Sequence, residues 1–238
     1  MNRAMVAAAS GMSVEETSLE QISENLAHAD QAGYKGSEAW FSALSSGLGA
    51  GYGGVRLDLS QGKLMKSGGP FDLALQGHGF FQVKAPSGEL GYTRLGDFRR
   101  NLDGRMVNGQ GCELVGVTIP AEATDVTVRE DGHIVGTFGD RHDVALGRVE
   151  LWDFASPERV RQNGTKGLFF ATADSGAAHG IEAGGETKIA FGMLEKANVS
   201  IVESMLSLLA AQRAYEANSK GVQAADEMLR IANNLQRS

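Results

Sequence analysis

NVSIVESMLSLLAAQRAYEANSKGVQAADEMLRIANNLQ, residues 198–236, decides how the rest of this chain is read. Read by sevens, Ile201, Leu208, Tyr215, Val222 and Leu229 fall in one row. Three residues on, Ser204, Ala211, Asn218, Ala225 and Ala232 form a second row of small side chains. This is heptad spacing, with one large and one small row. The stretch holds no proline and a single glycine, Gly221, so it can run as one helix of roughly 55 Å. Asn198 is a good N-cap, and Ser200 with Glu203 fits a capping box.

From Ala197 to Gln212 the only charged residue is Glu203. Val199, Ile201, Val202, Met205, Leu206, Leu208, Leu209 and Ala211 cover nearly the whole circumference. A helix apolar all round is buried on more than one side. Two burials satisfy that condition: the centre of a monomeric core, or contact with several chains. A membrane span needs ~20 apolar residues, and this run is shorter and carries a glutamate.

The first residues mirror the last. Met5, Met12, Leu19 and Leu26 are spaced by sevens, and Ala8, Ile22 and Ala29 supply most of a companion row, which Glu15 interrupts. Gly33 sits where a C-terminal cap is expected, and Gly11 costs the helix about 1 kcal/mol relative to alanine. The apolar run Ala4 to Ala9 after Arg3 is at the short limit for a secretory h-region, and the heptad pattern continues through it. It reads as mature helix, and any export is expected to proceed without a cleaved leader.

Composition separates ends from middle. Of the 32 glycines, only Gly11 and Gly221 lie before Gly33 or after Gly192. All four prolines lie between, as do all aromatics except Tyr215. Val55, Leu57 and Leu59 alternate as in a strand that Gly62 could turn back through Leu64 and Met65. From Phe71 onward, short strand-like runs alternate with turns: Phe71 to Leu75, Phe80 to Val83, Tyr92 to Phe98, Leu114 to Ile119, Val126 to Val128, His133 to Phe138 and Val149 to Trp152. The turn signals between them include Ser87-Gly88, Asp103-Gly104, Asn108-Gly109 and Asp131-Gly132. The expected fold is therefore α+β. Long N- and C-terminal helices (1–33 and 190–238) pair as a coiled-coil-like core. A glycine-rich extended linker or β-hairpin (34–70) and an all-β, barrel or sandwich-like domain (71–189) lie between them.

Signals of chemistry are weak. Net charge is −7 and the pI about 5.3, against the basic stripes of nucleic-acid binders. The single cysteine, Cys112, excludes an intramolecular disulfide and a multi-cysteine metal site, and reads as a small core hydrophobe. Gly49, Gly51 and Gly54 spell G-x-G-x-x-G, but without the strand before and helix after that dinucleotide binding requires. His28, His78, His133, His142 and His179 are dispersed, with no pair at ligand spacing. Asn163-Gly164-Thr165 is a glycosylation sequon that matters only in a secretory pathway. No catalytic residue, metal or cofactor is expected; the patterned residues are packing residues.

Short motifs mark the termini and the head of the β region: Ser10-Gly11-Met12, Ile22-x-x-Asn25-Leu26-Ala27-x-Ala29 with Gly33-Tyr34-Lys35, and Gly79-Phe80-Phe81-x-Val83. They continue in Tyr92-Thr93-Arg94-x-Gly96-x-Phe98, Leu194-Glu195-x-x-Asn198-Val199, Gln212 to Lys220 and Asp226 to Leu229. Together these residues resemble the flagellar rod and hook proteins of bacteria, most closely the distal rod protein. Glu24, His28 and Asp30 stand where the family usually has asparagine, Tyr34 replaces phenylalanine, and Ala197 replaces serine. The short middle separates the chain from the hook protein, which carries larger insertions.

The resemblance implies terminal helices stacked side by side in an axial tube with the β domain outside. It implies a basal-body rod that spans the periplasm and transmits torque, exported by the flagellar type III apparatus. The partners implied are copies of itself, proximal rod proteins, hook or hook-junction proteins, and the ring bushing in the peptidoglycan and outer membrane. The assembly interface expected from the heptad rows comprises Met5, Met12, Leu19, Ile22 and Leu26 in the first helix. In the last it comprises Ile201, Leu208, Ala211, Tyr215, Asn218, Val222, Ala225 and Leu229. Two other readings are a proximal rod subunit and a β-rich cell-wall-binding or hydrolase module with oligomerising helical ends. The hydrolase requires a cleft with convergent carboxylates.

Overall fold

The computed structural model describes residues 3–43, 49–162 and 167–235. The Asn163-Gly164-Thr165 sequon and the side chain of Ala232 lie outside the described set. Two helices bracket the chain: α1 (Arg3–Ala27) and α2 (Ile201–Leu235). Among the described residues eighteen strands lie between them. They are β1 (Ser37–Ala43), β2 (Ala50–Leu57), β3 (Leu64–Lys66), β4 (Leu73–Gln76), β5 (Phe80–Lys84) and β6 (Leu90–Thr93). Next come β7 (Arg99–Arg100), β8 (Arg105–Val107), β9 (Glu113–Thr118), β10 (Thr124–Val128), β11 (His133–Phe138) and β12 (Arg141–Arg148). The last are β13 (Leu151–Asp153), β14 (Arg161–Gln162), β15 (Leu168–Phe170), β16 (His179–Ile181), β17 (Lys188–Phe191) and β18 (Met193–Glu195).

The chain forms two compact units. One gathers residues 1–29, 36–58 and 199–238; the other gathers residues 30–35 and 59–198. The first unit contains α1, α2 and an antiparallel hairpin of β1 on β2, with a bulge between Trp40 and Phe41. The G-x-G-x-x-G glycines fall at and within β2, and Trp40 lies across Gly53. The turn proposed at Gly62 does not form a hairpin with β2, because β3 pairs with β18 instead. Asn25 ties α1 to the hairpin: its Nδ2 donates to Ser37 O (2.7 Å) and its Oδ1 accepts from Ser37 N (2.9 Å).

The α+β class holds, but the coiled-coil-like pairing does not. A coiled coil inserts both heptad rows as knobs into holes on its partner. Here no side chain of α1 from Met5 onward is buried. Among the described residues of α2, only Ala211 and Ala225 are buried, and Ile201, Tyr215 and Leu229 of the large row are exposed. The physical reason lies in the residues at the contact. A Cβ on Gly11 would stand 2.8 Å from Asn218 Nδ2, and one on Gly221 would stand 3.8 Å from the Ala8 methyl. The helices meet through small residues, which leaves much of the large row on the flank.

The second unit is built around a twelve-stranded sheet whose longest path runs β10-β11-β12-β9-β5-β6-β15-β14. Its pairings are antiparallel, and the path is open at β10 and β14, so no closed barrel forms among the described residues. Two further ladders, β17 on β4 and β18 on β3, complete the unit. Its core includes Leu73, Leu75, Phe81, Val83, Phe98, Met106, Ile119, Ile134, Leu151 and Ile189. Phe81 meets Phe98 edge to face at 5.7 Å, a favoured aromatic geometry. β5 is buried at four successive positions, so its apolar run is covered on both faces.

Candidate assembly surface and its buried anchor

α2 begins at Ser200 as the expected capping box has it: the Ser200 hydroxyl accepts from Glu203 N at 3.4 Å, while Asn198 Nδ2 donates to Ser60 O (3.2 Å) and Oγ (3.1 Å). The line of α2 with least exposure is Ser204, Leu208, Ala211, Asn218, Val222 and Ala225, spaced as a single helical stripe. On the opposite side runs a second stripe at the same alternating spacing of four and three: Val202, Leu206, Leu209, Arg213, Glu216 and Lys220. Val202 is 69% exposed, Leu206 62% and Leu209 50%. Met205, Met228 and Ile231 add further exposed apolar surface to α2.

The predicted interface residues are divided by this geometry. Ala211 and Ala225 are buried, and Asn218 lies against Gly11. Leu208 and Val222 are half-buried, as are Met5, Met12, Leu19, Ile22 and Leu26 of α1. Tyr215 and Leu19 share a surface groove of about 590 Å³ with Glu16, Glu20 and Ser23. Ile201 and Leu229 are exposed at 40% and 39%. Heptad reasoning from the large row passed over Val202, Leu206 and Leu209. Their signal was present in the circumference that is apolar all round.

The second unit holds a charged cluster that the sequence did not reveal. Lys35, Arg94 and Glu195 come from three separate motifs, each with an essentially buried side chain. Lys35 Nζ donates to Glu195 Oε1 (2.8 Å) and to Ser60 O (2.6 Å). Gly62 N donates to the same Oε1 at 2.8 Å, and Arg94 Nη1 reaches Oε2 at 3.5 Å. Arg94 Nη2 also donates to Gly77 O (2.9 Å), and its guanidinium lies 5.6 Å from the Phe80 ring centre. Burial pulls the Arg94 guanidinium below its ordinary value, and the carboxylates of Glu195 and Asp153 offset part of that shift.

The backbone is fitted tightly around this cluster. A Cβ at Gly62 would come within 1.9 Å of Lys196 O, so only glycine allows that approach. Gly33 is not the cap of α1, which ends at Ala27; it adopts φ +66° and gives its N–H to Glu195 O at 2.7 Å. A single signal could have exposed the cluster: a lysine, an arginine and a glutamate each stand beside apolar or aromatic motif residues.

Chemistry was sought elsewhere as well. Among the described residues no group of three or more His, Cys, Asp or Glu could hold a metal ion, and no helix is long and apolar enough to cross a membrane. His78 lies near Asp153 (3.7 Å) and Thr187 (3.2 Å), but the buried Thr187 hydroxyl donates to His78 O (2.9 Å) instead of facing solvent as a nucleophile would. A groove of about 580 Å³ in the β unit does bring Asp72 and Asp97 to its walls. Asp72 accepts from the Ser67 hydroxyl and Asp97 Oδ2 from Gly109 N (3.3 Å), so each carboxylate holds a turn. Burial raises the Asp97 carboxyl above its ordinary range, against the Gly109 hydrogen bond, which lowers it.

Comparison with known proteins identifies the family. Residues 74–136 match the family described as flagellar hook protein FlgE/F/G D1 domain, and residues 191–235 match flagellar basal body rod FlgEFG protein C-terminal. Relatives extend the match along the chain. A flagellar basal-body rod protein FlgG of Caulobacter vibrioides is 35% identical, covering 98% of this chain and 99% of the relative. Those of Agrobacterium fabrum (33%; 97% and 98%) and Borreliella burgdorferi (32%; 100% and 100%) are similar. The chain belongs to the FlgG family of flagellar basal-body rod proteins, a structural family of the flagellar basal body. The distal-rod resemblance read from the termini is thereby borne out.

Proposed function

We propose that this subunit polymerises with copies of itself into the distal segment of the rod, a hollow shaft that carries torque from motor to hook. The observation that carries this reading is the apolar surface α2 leaves in solvent: Val202, Met205, Leu206, Leu209, Met228 and Ile231 are all at least half exposed. A lone surface leucine is ordinary, but six such residues on one helix mark an interaction surface. Full burial of one such side chain contributes about 1.5–3 kcal/mol, so completing the cover of Val202, Leu206 and Leu209 adds on the order of 1 kcal/mol each. Proximal rod proteins, hook or hook-junction proteins and the ring bushing would meet the ends and outside of this segment. Subunits would reach it through the flagellar type III export apparatus. The role is mechanical, not catalytic.

A strain lacking the gene tests the proposal. Its basal bodies, imaged by electron cryotomography, are expected to stop at a short proximal rod, with length and motility restored by the gene supplied in trans. Basal bodies of normal rod length in the deletion strain overturn it. A rod missing from its base would instead assign the subunit to the proximal segment.

A further inference from the structure

α1 and α2 carry complementary charge on faces that are both open to solvent. Between Met5 and Ala27, α1 has four carboxylates, Glu15, Glu16, Glu20 and Glu24, and no cation. Glu16 and Glu20 are exposed one helical turn apart on the rim of the groove floored by Leu19 and Tyr215. The outer stripe of α2 differs: three apolar residues, Val202, Leu206 and Leu209, lead into Arg213, Glu216 and Lys220, two cations with one carboxylate between them. Among the described residues neither cation forms an ion pair, and neither do Glu16 and Glu20.

We infer that this groove receives the outer stripe of α2 from a second copy of the chain. The apolar part of that stripe packs on Leu19 and Tyr215, and Arg213 and Lys220 meet Glu16 and Glu20. Leu209 and Arg213 are one turn apart, so a helix with Leu209 on the apolar floor brings Arg213 to the acidic rim; Lys220 lies two turns, about 10.5 Å, beyond Arg213, against about 6 Å between Glu16 and Glu20, and reaches the rim only through its long side chain. The groove at Tyr215 and the outer stripe lie on opposite sides of α2, so one neighbour cannot engage both and the contact is head-to-tail. Each copy uses its groove for one neighbour and its stripe for another, which is the interface type that propagates a filament instead of closing a dimer. This inference rests on the self-assembly reading above. It names the partner face within that reading and gives the charges the task of setting register.

The test uses the purified full chain, with assembly followed by sedimentation velocity and negative-stain electron microscopy at low and high NaCl. The wild type is expected to assemble above a threshold concentration that rises with salt, because exposed ion pairs are screened. The double variants Arg213→Glu/Lys220→Glu and Glu16→Lys/Glu20→Lys are each expected to raise that threshold about tenfold or more, since like charges then face each other. Mixed in equal amounts, the two variants are expected to co-assemble near the wild-type threshold. Either variant assembling as readily as wild type overturns the inference, and so does a mixture that fails to recover. Should a reversal variant lose helical circular dichroism, the neutral pair Glu16→Gln/Glu20→Gln takes its place. That pair is expected to abolish the salt dependence, and unchanged salt dependence overturns the pairing. A wild-type chain that stays monomeric at every concentration overturns the self-assembly reading itself, which separates the two failures.

Discussion

At the scale of single residues, the Glu195 carboxylate is the most consequential group. It accepts from Lys35 Nζ and Gly62 N while Arg94 stands at its second oxygen. Removing one partner of a buried ion pair leaves the other charge without compensation. Glu195→Ala is therefore expected to destabilise the β unit by about 3–5 kcal/mol, measured by urea unfolding followed through Trp152 fluorescence. A loss below 1 kcal/mol would mean that water reaches Lys35 and Arg94. Asp97 governs a pH effect of opposite kind to the usual carboxylate. Its folded pKa lies above its unfolded value, so the folded chain retains a proton that the unfolded chain has released. Its contribution is most favourable below the unfolded value and is lost as pH rises through the folded one. Asp97→Asn is expected to flatten the fall in stability over that window, and an unchanged slope would count against it. Neither site was legible in sequence. Lys35, Arg94 and Glu195 are 59 residues or more apart along the chain, and residue types alone do not say which charges meet.

At the scale of elements, the contact of α1 with α2 turns on Gly11 and Asn218. A Cβ at position 11 would press on the Asn218 amide, the far end of a side chain that can move. Gly11→Ala therefore sets about 1 kcal/mol of helix propensity against a small displacement, and is expected to be near neutral. Gly11→Leu has no such room and is expected to open the pair, with loss of hydrogen-exchange protection along both helices. Asn218→Ala should restore part of it, and a double-mutant cycle with no coupling would show the contact to be incidental. The heptad rows located both helices, because 3.6-residue periodicity is a local property, but the expected spans 1–33 and 190–238 overrun α1 by six residues and the start of α2 by eleven. They did not show which row faces the partner, since Ile201, Tyr215 and Leu229 and the rows beside them satisfy the same spacing. β12 was missed altogether. Arg141, His142 and Asp143 break the apolar alternation, and Asp143 adopts φ +55°; the strand exists because β11 and β9 supply its hydrogen bonds.

At the scale of the molecule, stability is unevenly distributed. The β unit has a continuous buried core, whereas α1 has no buried side chain from Met5 onward and α2 has two among its described residues. Amides of α1 and α2 in dilute monomer are expected to exchange well before those of β5 and β9, with protection rising on assembly. Equal protection in both units of the monomer would show that the helical pair needs no neighbour. Ala211→Trp is expected to block assembly while the β unit remains folded, as read by its near-ultraviolet circular dichroism. Ala211 is already buried in the single chain, so this variant acts by spreading the helices, not by meeting a neighbour directly.

Sequence alone determined the properties that depend on near neighbours and on total composition. These are two terminal helices, a glycine-rich β middle, an acidic chain, and motifs specific enough to indicate the rod family. Tertiary structure decided everything that depends on who faces whom. It placed the hairpin at β1 and β2 and not at Gly62, and it set the helix contact on Gly11 with Asn218 and Gly221 with Ala8, leaving Ile201, Tyr215 and Leu229 of the large row exposed. It joined Lys35, Arg94 and Glu195 into one buried cluster, and left Val202, Leu206 and Leu209 in solvent. The physical reason is that periodicity shows a side chain's angle about its own helix, whereas burial depends on what occupies the space beside it.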